Sequence, residues 1–143
     1  MNYRLLTWDE KVFVLKRLRE LDRLDHLIPR DADMITIYRR MEKKKVVGAF
    51  DEAGIAFIYW TYLPDDEAKR RYIAVGALRQ LDREMIRQMK HCVRHLTEEW
   101  ELWGEIDADN ERGVKLGELC GFTVEAVLDS RIIVRHGQTR TDT

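Results

Sequence analysis

Two carboxylates stand near the end of a short apolar stretch of the sequence. Glu105 and Asp107 close the stretch Leu102 to Ile106. A carboxylate in such a place can act as a general base that removes a proton from an amine. The same pattern is typical of the solvent-facing end of a β-strand, because Asp and Glu are seldom buried without a partner. The strand end is the simpler interpretation, so the catalytic residues stay unassigned.

Two histidines, His91 and His95, lie four residues apart in a segment with helical periodicity. This spacing places both imidazoles on one face of a helix, as a zinc-binding pair requires. No third ligand follows at a fixed spacing, although Glu98 and Glu99 come soon after. The apolar residues of the segment occupy the opposite face. We therefore predict two solvent-exposed histidines and no metal site.

Aromatic and cationic residues form two further clusters. The aromatic residues are Phe57, Tyr59, Trp60 and Tyr62. They could stack on bases or hold a partner, but alternating aromatics also suit the packing of a sheet, which we favour. The run from Arg39 to Lys45 could contact phosphate, yet Glu42 interrupts it and a solvated helix end is the simpler interpretation.

Composition and length indicate one soluble domain. The chain has 143 residues, of which 45% are hydrophobic and 36% charged, with a net charge of −1. This composition supplies a core, and the charge balance gives no support for nucleic-acid binding. No apolar run suits a bilayer, and the first residues lack the apolar region of a secretory signal. We expect Cys92 and Cys120 to be reduced and packed, and the protein to be cytoplasmic or inside a particle assembled there.

The first third of the chain predicts two helices. Thr7 to Glu10 has the form of a capping box, and apolar residues then recur at helical spacing, so we predict a helix from Trp8 to Asp25. The segment His26 to Pro29 ends this pattern. A second, shorter helix is predicted from Ala32 to Met41.

The middle of the chain predicts an antiparallel meander. Val46 to Phe50 and Ile55 to Leu63 are rich in strand-forming residues, and the turn Asp51 to Gly54 joins them as a hairpin. Pro64 to Glu67 is predicted to be an exposed loop. Arg71 to Val75 offers a third strand.

The last part of the chain alternates helices and strands. From Leu81 a helix is predicted, with its buried stripe formed by Ile86, Met89, Val93, Leu96 and Trp100. The elements that follow are a strand (Leu102 to Ile106), a helix (Asn110 to Leu119) and a closing strand pair (Phe122 to Leu128 and Arg131 to Arg135). This order is that of an α+β protein. We predict one domain over residues 1–136 and a flexible tail over residues 137–143.

The helix that begins at Asn110 carries a family resemblance. The segment from Asn110 to Phe122 resembles the Asn-x-x-Ala-x-x-Leu-Tyr-x-x-x-Gly-Phe segment of the GNAT (GCN-related N-acetyltransferase) superfamily, with Asn110, Leu116, Gly121 and Phe122 in register. The resemblance implies a GNAT-like α+β fold. Its mixed central sheet would have an antiparallel N-terminal meander, a splayed parallel strand pair and about four helices.

The resemblance also implies a cofactor site. In the family, acetyl-CoA lies in the cleft between the splayed strands, here Tyr72 to Val75 and Leu102 to Ile106, and its pyrophosphate meets a Gly-rich loop at a helix start. The residues that would contact the cofactor are Val75, Gly76, Arg79, Arg83 and Asn110.

The chain departs from the family at two points. The spaced glycines of the pyrophosphate loop are absent, and Asp82 would repel phosphate even though Arg79 and Arg83 could meet it; an ordinary helix cap with solvated arginines explains the segment equally well. Gly117 stands where the family often has the tyrosine that returns a proton to the thiolate. Tyr72 or a bound water would have to take that role.

These departures leave two function classes. The first is a GNAT-like protein with a degenerate acyl-CoA site and little or no transferase activity. It would serve as a scaffold or a virion-associated interaction protein, as in short bacteriophage gene products, with a protein partner or self-assembly, no membrane and no nucleic acid. The alternative is an active N-acyltransferase that moves an acetyl group from acetyl-CoA to an amine. We expect weak acetyl-CoA binding at best, and Asn110 to act mainly as a helix cap.

Overall fold

The computed structural model describes residues 1–23 and 33–138. In chain order the elements are β1 (Asn2–Leu5), α1 (Trp8–Glu20), α2 (Met34–Lys43), β2 (Val47–Asp51), β3 (Gly54–Asp65), β4 (Arg70–Ala77), α3 (Arg83–Thr97), β5 (Glu101–Asp107), α4 (Glu111–Leu119), β6 (Thr123–Val127) and β7 (Arg131–His136). The strands form one sheet in the order β1-β2-β3-β4-β5-β7-β6. No helix of the described residues is long and apolar enough to cross a membrane.

The chain divides into two units. The first comprises Met1–Trp60 and Ala74–Leu81, and the second comprises Thr61–Ile73 and Asp82–Thr143. Strands β3 and β4 each contribute residues to both units. The predicted α+β class is confirmed, with an antiparallel meander, a parallel strand pair and four helices in the described residues.

The capping box at the start of α1 is confirmed. The Thr7 hydroxyl accepts from the Glu10 amide at 3.3 Å, and the Glu10 carboxylate accepts from the Thr7 amide at 3.0 Å. These two bonds satisfy amides that have no partner inside the helix.

The predicted end of α1 at Asp25 is wrong, because the helix stops at Glu20. Asp22 takes a left-handed conformation with φ of 56°. Its amide bonds to the Arg19 carbonyl at 3.0 Å, and the Arg23 amide bonds to the Leu18 carbonyl at 2.9 Å. Such a reversed closure is a Schellman motif, which ends a helix even though apolar periodicity continues. The predicted stop over His26 to Pro29 lies outside the described residues.

Helix α2 begins at Met34, after the cap residue Asp33, and ends at Lys43, two residues beyond the predicted end. The predicted first residue, Ala32, lies outside the described residues. The Asp33 carboxylate accepts from the Thr36 amide at 2.8 Å. Strand β1 was not predicted, because its four residues are too short for a clear alternation. It pairs antiparallel with β2.

The predicted hairpin is confirmed. Strands β2 and β3 pair antiparallel from Val47 with Tyr59 to Asp51 with Gly54. Gly54 has a φ of 110°, a value that non-glycine residues rarely adopt. The predicted loop Pro64 to Glu67 is wrong in part, because β3 continues through Asp65 and the turn occupies residues 66–69.

The core of the first unit lies between its two helices and its strands. Buried apolar side chains come from α1 (Val14, Leu15, Leu18), from α2 (Ile37, Met41) and from the strands (Ala49, Ala56, Phe57, Ile58). The Lys11 side chain is buried among them. Its ammonium donates to the Lys44 carbonyl at 2.6 Å and to the Glu42 carbonyl at 3.3 Å, at the end of α2.

In the second unit, the buried side of α3 nearly coincides with the predicted one. Met89, Val93 and Trp100 are buried as predicted, whereas Ile86 and Leu96 are half-buried. Met85, Cys92 and Thr97 complete the buried stripe, so its centre lies slightly to one side of the predicted one. His91 and His95 face solvent, as predicted.

Strand β5 has different neighbours on its two sides. It pairs in parallel with β4 from Arg70 with Glu101 to Tyr72 with Trp103, and antiparallel with β7 along its length. Strand β6 pairs antiparallel with β7 and is the last strand of the sheet. After β7, Gln138 donates to the Glu99 carbonyl. Residues 139–143 of the predicted tail lie outside the described residues.

Candidate functional site

The predicted cofactor residues divide between the two units. Val75, Gly76 and Arg79 belong to the first unit, and Arg83 and Asn110 belong to the second. Val75 is half-buried and Gly76 is buried, both in the last part of β4. The parallel pairing of β4 with β5 extends to Tyr72. The predicted cleft runs along β4 from Tyr72 to Val75. That the two strands separate over this stretch stays a prediction.

Arg79 is held by a carboxylate within its own unit. Its guanidinium donates to both oxygens of Asp51, one bond being 3.1 Å, and forms an ion pair with that residue. These bonds hold the pKa of Asp51 below its ordinary value. A bidentate arginine–carboxylate pair uses the same donors that a phosphate would need. Arg79 is therefore not a solvated cation as one interpretation of the sequence had it.

The backbone beside Arg79 is also fastened. The Arg23 guanidinium donates to the Ala77 and Arg79 carbonyls, both at 3.0 Å, and the Leu78 amide donates to the Ala56 carbonyl at 3.0 Å. Leu78 is buried. Three hydrogen bonds thus fix the segment to which the resemblance assigned a glycine-rich loop.

The start of α3 carries a negative charge. The Asp82 carboxylate accepts from the Met85 amide at 2.8 Å and caps the helix. Amides at a helix start, together with the helix dipole, attract anions. Here a carboxylate of the chain takes that place. Arg83, the first helical residue, is exposed and forms no ion pair with a described residue.

Asn110 caps α4, as predicted. Its side-chain oxygen accepts from the Gly113 amide at 3.0 Å. A Cβ atom at Gly113 would lie 2.4 Å from the Asn110 side-chain nitrogen. Position 113 must therefore be glycine for the cap to keep this geometry.

Gly117, at the position of the family's tyrosine, faces an apolar environment. A Cβ atom there would lie 3.5 Å from Ile106 Cδ1 and 3.9 Å from Phe122 Cβ. The position supplies no hydroxyl. Gly121 ends the helix with a φ of 93°, as its place in the motif predicts.

An aromatic cluster stands on the face of the sheet that Tyr72 and Trp103 share. The Tyr72 ring lies 5.5 Å from that of Tyr62 and 6.3 Å from that of Trp103. Burial, and then the charge of Glu105, raise the pKa of Tyr62 to about 12. A phenol with so high a pKa stays protonated at neutral pH and is a weak acid. Tyr62 was not predicted as part of this cluster, which forms because β3 and β4 are neighbours in the sheet.

The two candidate bases share one arginine. Arg131 donates to the Glu105 carboxylate at 3.0 Å, and its Nε atom lies 4.0 Å from an Asp107 oxygen. Glu105 is exposed and Asp107 half-buried. Both carboxylates occupy the end of β5 as part of an ion-pair network, which agrees with the simpler interpretation. Within the described residues, no group of three His, Cys, Asp or Glu side chains could hold a metal ion.

Arg23 and Asp51 were missed by the sequence analysis. Arg23 lay within a predicted helix, and Asp51 within a predicted turn. Asp51 and Arg79 are 28 residues apart, and no spacing rule joins such positions. The sequence showed that Asp51 is an acidic residue in the hairpin turn, but this did not identify Arg79 as its partner.

Several solved N-acetyltransferases are similar to this chain in structure. Aminoglycoside acetyltransferase AAC(6')-Ib in complex with coenzyme A superposes with a TM-score of 0.75 at 13% identity, over 96% of this chain and 94% of that one. Spermidine N-acetyltransferase from Vibrio cholerae, in complex with CoA and spermine, superposes with a TM-score of 0.72 at 9% identity, over 96% of this chain and 95% of that one. Ribosomal-protein-S5-alanine acetyltransferase from Vibrio fischeri superposes with a TM-score of 0.70 at 10% identity, over 95% of this chain and 92% of that one.

These superpositions show that the chain has the GNAT fold over nearly its whole length, as the segment from Asn110 to Phe122 implied. No family model and no curated protein sequence matches the chain.

Proposed function

We propose that this chain is a GNAT-fold protein with a degenerate acyl-CoA site, little or no transferase activity, and a role in contacts with protein. The observation that carries the proposal is the carboxylate of Asp82 at the start of α3, bonded to the Met85 amide at 2.8 Å. A pyrophosphate would have to displace this cap and would meet a negative charge where the fold offers an anion site.

The cationic residues nearby in sequence do not offset that charge. Arg79 is paired with Asp51, and its neighbouring carbonyls are bonded to Arg23. Freeing Arg79 for a phosphate would leave the Asp51 carboxylate without its partner. Arg83 remains as an exposed cation, whose attraction for phosphate is screened by salt.

The proton-transfer step also lacks a donor at position 117. A general acid contributes about a hundredfold or more to a rate, and Gly117 has no proton to give. Tyr72 packs between Tyr62 and Trp103, which supports a role in packing rather than proton transfer. Weak capture and a missing acid act in the same direction.

The partner would be a protein, either another chain or a second copy. The setting would be the cytoplasm or a bacteriophage particle, as the size and the absent Gly-rich loop suggest. The competing function is an active N-acyltransferase that moves an acetyl group from acetyl-CoA to an amine. The likeness to acetyltransferases solved with CoA favours it.

Isothermal titration calorimetry with acetyl-CoA and a thiol-release assay with polyamine and aminoglycoside acceptors separate the two functions. We expect no saturable heat and no turnover above the buffer rate. Micromolar affinity with steady turnover, lost when Arg79 and Asn110 are both replaced by Ala, would establish the enzyme.

A matched pair of variants tests the role assigned to Asp82. Asp82→Asn keeps a capping oxygen but removes the charge, so we expect acetyl-CoA binding to increase several-fold. Asp33→Asn makes the same change at the cap of α2, where Asp33 accepts from the Thr36 amide at 2.8 Å, and should leave binding unchanged. If both variants bound acetyl-CoA with equal affinity, the charge of Asp82 would not be what weakens binding at the start of α3.

A further inference from the structure

The solvent-facing side of α2 is both cationic and apolar. Five exposed side chains share it. Four of them are named the cationic stripe, namely Ile35, Arg39, Arg40 and Lys43, and the fifth is the carboxylate Glu42. The opposite side of the helix is already used inside the first unit, where Ile37 and Met41 are only 5% and 1% exposed. The stripe therefore contributes nothing to the core of its unit.

The stripe carries three positive charges, one on each of Arg39, Arg40 and Lys43. Arg39 and Lys43 are four residues apart and Arg40 and Lys43 three apart, spacings at which like charges on a helix repel. None of the three forms an ion pair with a described residue. Burial and the charge of Arg40 together lower the pKa of the adjacent Lys44. With three cations and one carboxylate, Glu42, this face has a net positive charge and fits an anionic partner surface.

The two units have opposite net charges. Of the residues of the first unit, 13 are Lys or Arg and 10 are Asp or Glu, a net charge of +3; in the second the numbers are 12 and 16, a net charge of −4. The sum is the net charge of −1 of the whole chain. Two copies can therefore attract each other through unlike units although the whole chain is nearly neutral.

The turn that follows β3 matches the stripe in composition. Four exposed residues are named the acidic turn: Leu63 and Asp65 at the end of β3, and Asp66 and Glu67 in the turn itself. Leu63 is 66% exposed, as Ile35 is in the stripe, and has a φ of 48°. That conformation is uncommon for a non-glycine residue and here coincides with an outward apolar side chain. No ion pair joins the three carboxylates to a described cation.

We infer that the cationic stripe of one copy docks on the acidic turn of a second copy of this chain, with Ile35 against Leu63. The inference rests on the proposed interaction role and names its partner. Each copy offers both surfaces. If two copies make both contacts with each other, they form a closed two-fold dimer; if each copy uses its two surfaces toward different neighbours, the contact is heterologous and builds a ring or an open chain.

A membrane or a nucleic acid fits the stripe less well. The apolar side of α2 is buried in its unit, so the helix has only Ile35 to insert into a bilayer. A polyanion would attract the stripe but would be repelled by the net charge of −4 on the second unit.

Sedimentation velocity over a range of protein concentrations tests the contact. We expect concentration-dependent association at low salt that weakens as the Debye length falls from about 30 Å at 0.01 M to about 3 Å at 1 M salt. Arg39→Glu with Lys43→Glu should weaken it about tenfold or more, because both charges of the contact then repel. The matched control is Lys90→Glu with Arg94→Glu, which reverses two exposed cations at the same spacing on α3.

Charge exchange provides the decisive arm. Asp66→Lys with Glu67→Lys should likewise weaken self-association about tenfold or more. It leaves intact Asp65, whose side chain accepts from the Ala68 amide. Mixing the stripe-reversed and turn-reversed proteins should restore association, because every contact between the unlike variants is again complementary. Circular dichroism of each variant shows whether it is folded before mixing.

Three results would overturn the inference. They are a wild-type protein that stays monomeric at all concentrations, a stripe-reversed variant that associates as the wild type does, and a mixture that stays monomeric although both variants are folded. Binding of the monomer to anionic vesicles or to RNA would assign the stripe to that class instead. None of these results bears on acetyl-CoA turnover, so failure here is distinct from failure of the proposed function.

Discussion

Lys11 shows how a charged residue can belong to a core. Its side chain is only 8% exposed, and its ammonium donates to the carbonyls of Lys44 and Glu42 at the end of α2. Carbonyls at the end of a helix have no partner within it and carry a partial negative charge. Lys11 therefore joins α1 to α2 through two backbone carbonyls.

Replacing Lys11 by Met should destabilise the protein. Met keeps the apolar stem but leaves two carbonyls without their donor, at a cost of about 1–3 kcal/mol. Lys16→Met, at an exposed position of the same helix, should change stability by about 0.5 kcal/mol or less. Urea denaturation of both variants measures the difference. Equal midpoints would mean that water replaces the ammonium without loss.

Two glycines of α4 differ in what surrounds them. A Cβ atom at Gly113 would meet the Asn110 side-chain nitrogen at 2.4 Å, whereas at Gly117 the nearest atom would be 3.5 Å away. Gly117→Ala should therefore raise stability by about 0.5–1 kcal/mol, the usual gain within a helix. Gly113→Ala displaces the cap, which costs about 1 kcal/mol.

Both changes to Ala gain the same helical propensity and only Gly113→Ala loses the cap. We therefore expect Gly113→Ala to be the less stable of the two variants by about 1 kcal/mol, measured by thermal or urea unfolding. Asn110→Ala supplies the control, because it removes the same cap without a clash. If Gly113→Ala were as stable as Gly117→Ala, the Asn110 cap would contribute nothing.

At the scale of elements, the capping box of α1 also holds β1. The Arg4 guanidinium donates to both oxygens of Glu10 at 2.7 and 2.6 Å. Arg4, and then the Thr7 amide, lower the pKa of Glu10 from 4.5 to about 2. A short strand is thereby tied to the helix that follows it.

This pair predicts a dependence of stability on pH. Because the pKa of Glu10 is lower in the folded state, its contribution is fully present above pH 4.5 and is lost as the pH falls towards about 2. Glu10→Gln should flatten that part of the profile, since Gln can still accept from Thr7. Chemical denaturation between these pH values measures both proteins. Parallel profiles would assign the acid sensitivity to other carboxylates.

Local signals predicted most elements. The hairpin follows from strand-forming residues around Asp51 to Gly54, and α4 follows from Asn110 at its start and Gly121 at its end. Apolar periodicity could not place the end of α1, because Asp22 reverses the backbone while the pattern continues. The four-residue β1 owes its conformation to pairing with β2, which no local pattern records.

The candidate site was predicted less well than the fold, for a physical reason. Gly117 and the missing glycines are visible in the sequence, because they are local departures from a motif. The Asp51–Arg79 pair and the bonds from Arg23 depend on contacts between distant positions. Periodicity and capping rules carry no information on such contacts. Arg79 was consequently assigned to phosphate or to solvent, and its carboxylate partner was not foreseen.

At the scale of the whole molecule, the fold and the site support different expectations. The chain superposes over 96% of its length on an acetyltransferase bound to coenzyme A. A fold, however, does not determine a function, which depends on the residues of the site. The proposed loss of activity rests on three residues of the site, namely Asp82, the paired Arg79 and Gly117.

The size of the rise in Tm on adding acetyl-CoA decides between these expectations. A ligand that binds only the native state stabilises it by RT ln(1 + [L]/Kd), or about 4.1 kcal/mol at a thousandfold excess over Kd. For a chain of this length that amount corresponds to a rise in Tm of roughly 10 °C. A micromolar site would therefore be obvious at a millimolar concentration of ligand.

We expect the proposed degenerate site to give a shift below about 1 °C, because a Kd above the ligand concentration contributes less than about 0.4 kcal/mol. Sodium pyrophosphate at matched ionic strength separates general anion effects from recognition of the cofactor. A large shift with acetyl-CoA and none with pyrophosphate would mean that the cofactor binds through its pantetheine arm despite the carboxylate at α3, and the degenerate site would have to be abandoned.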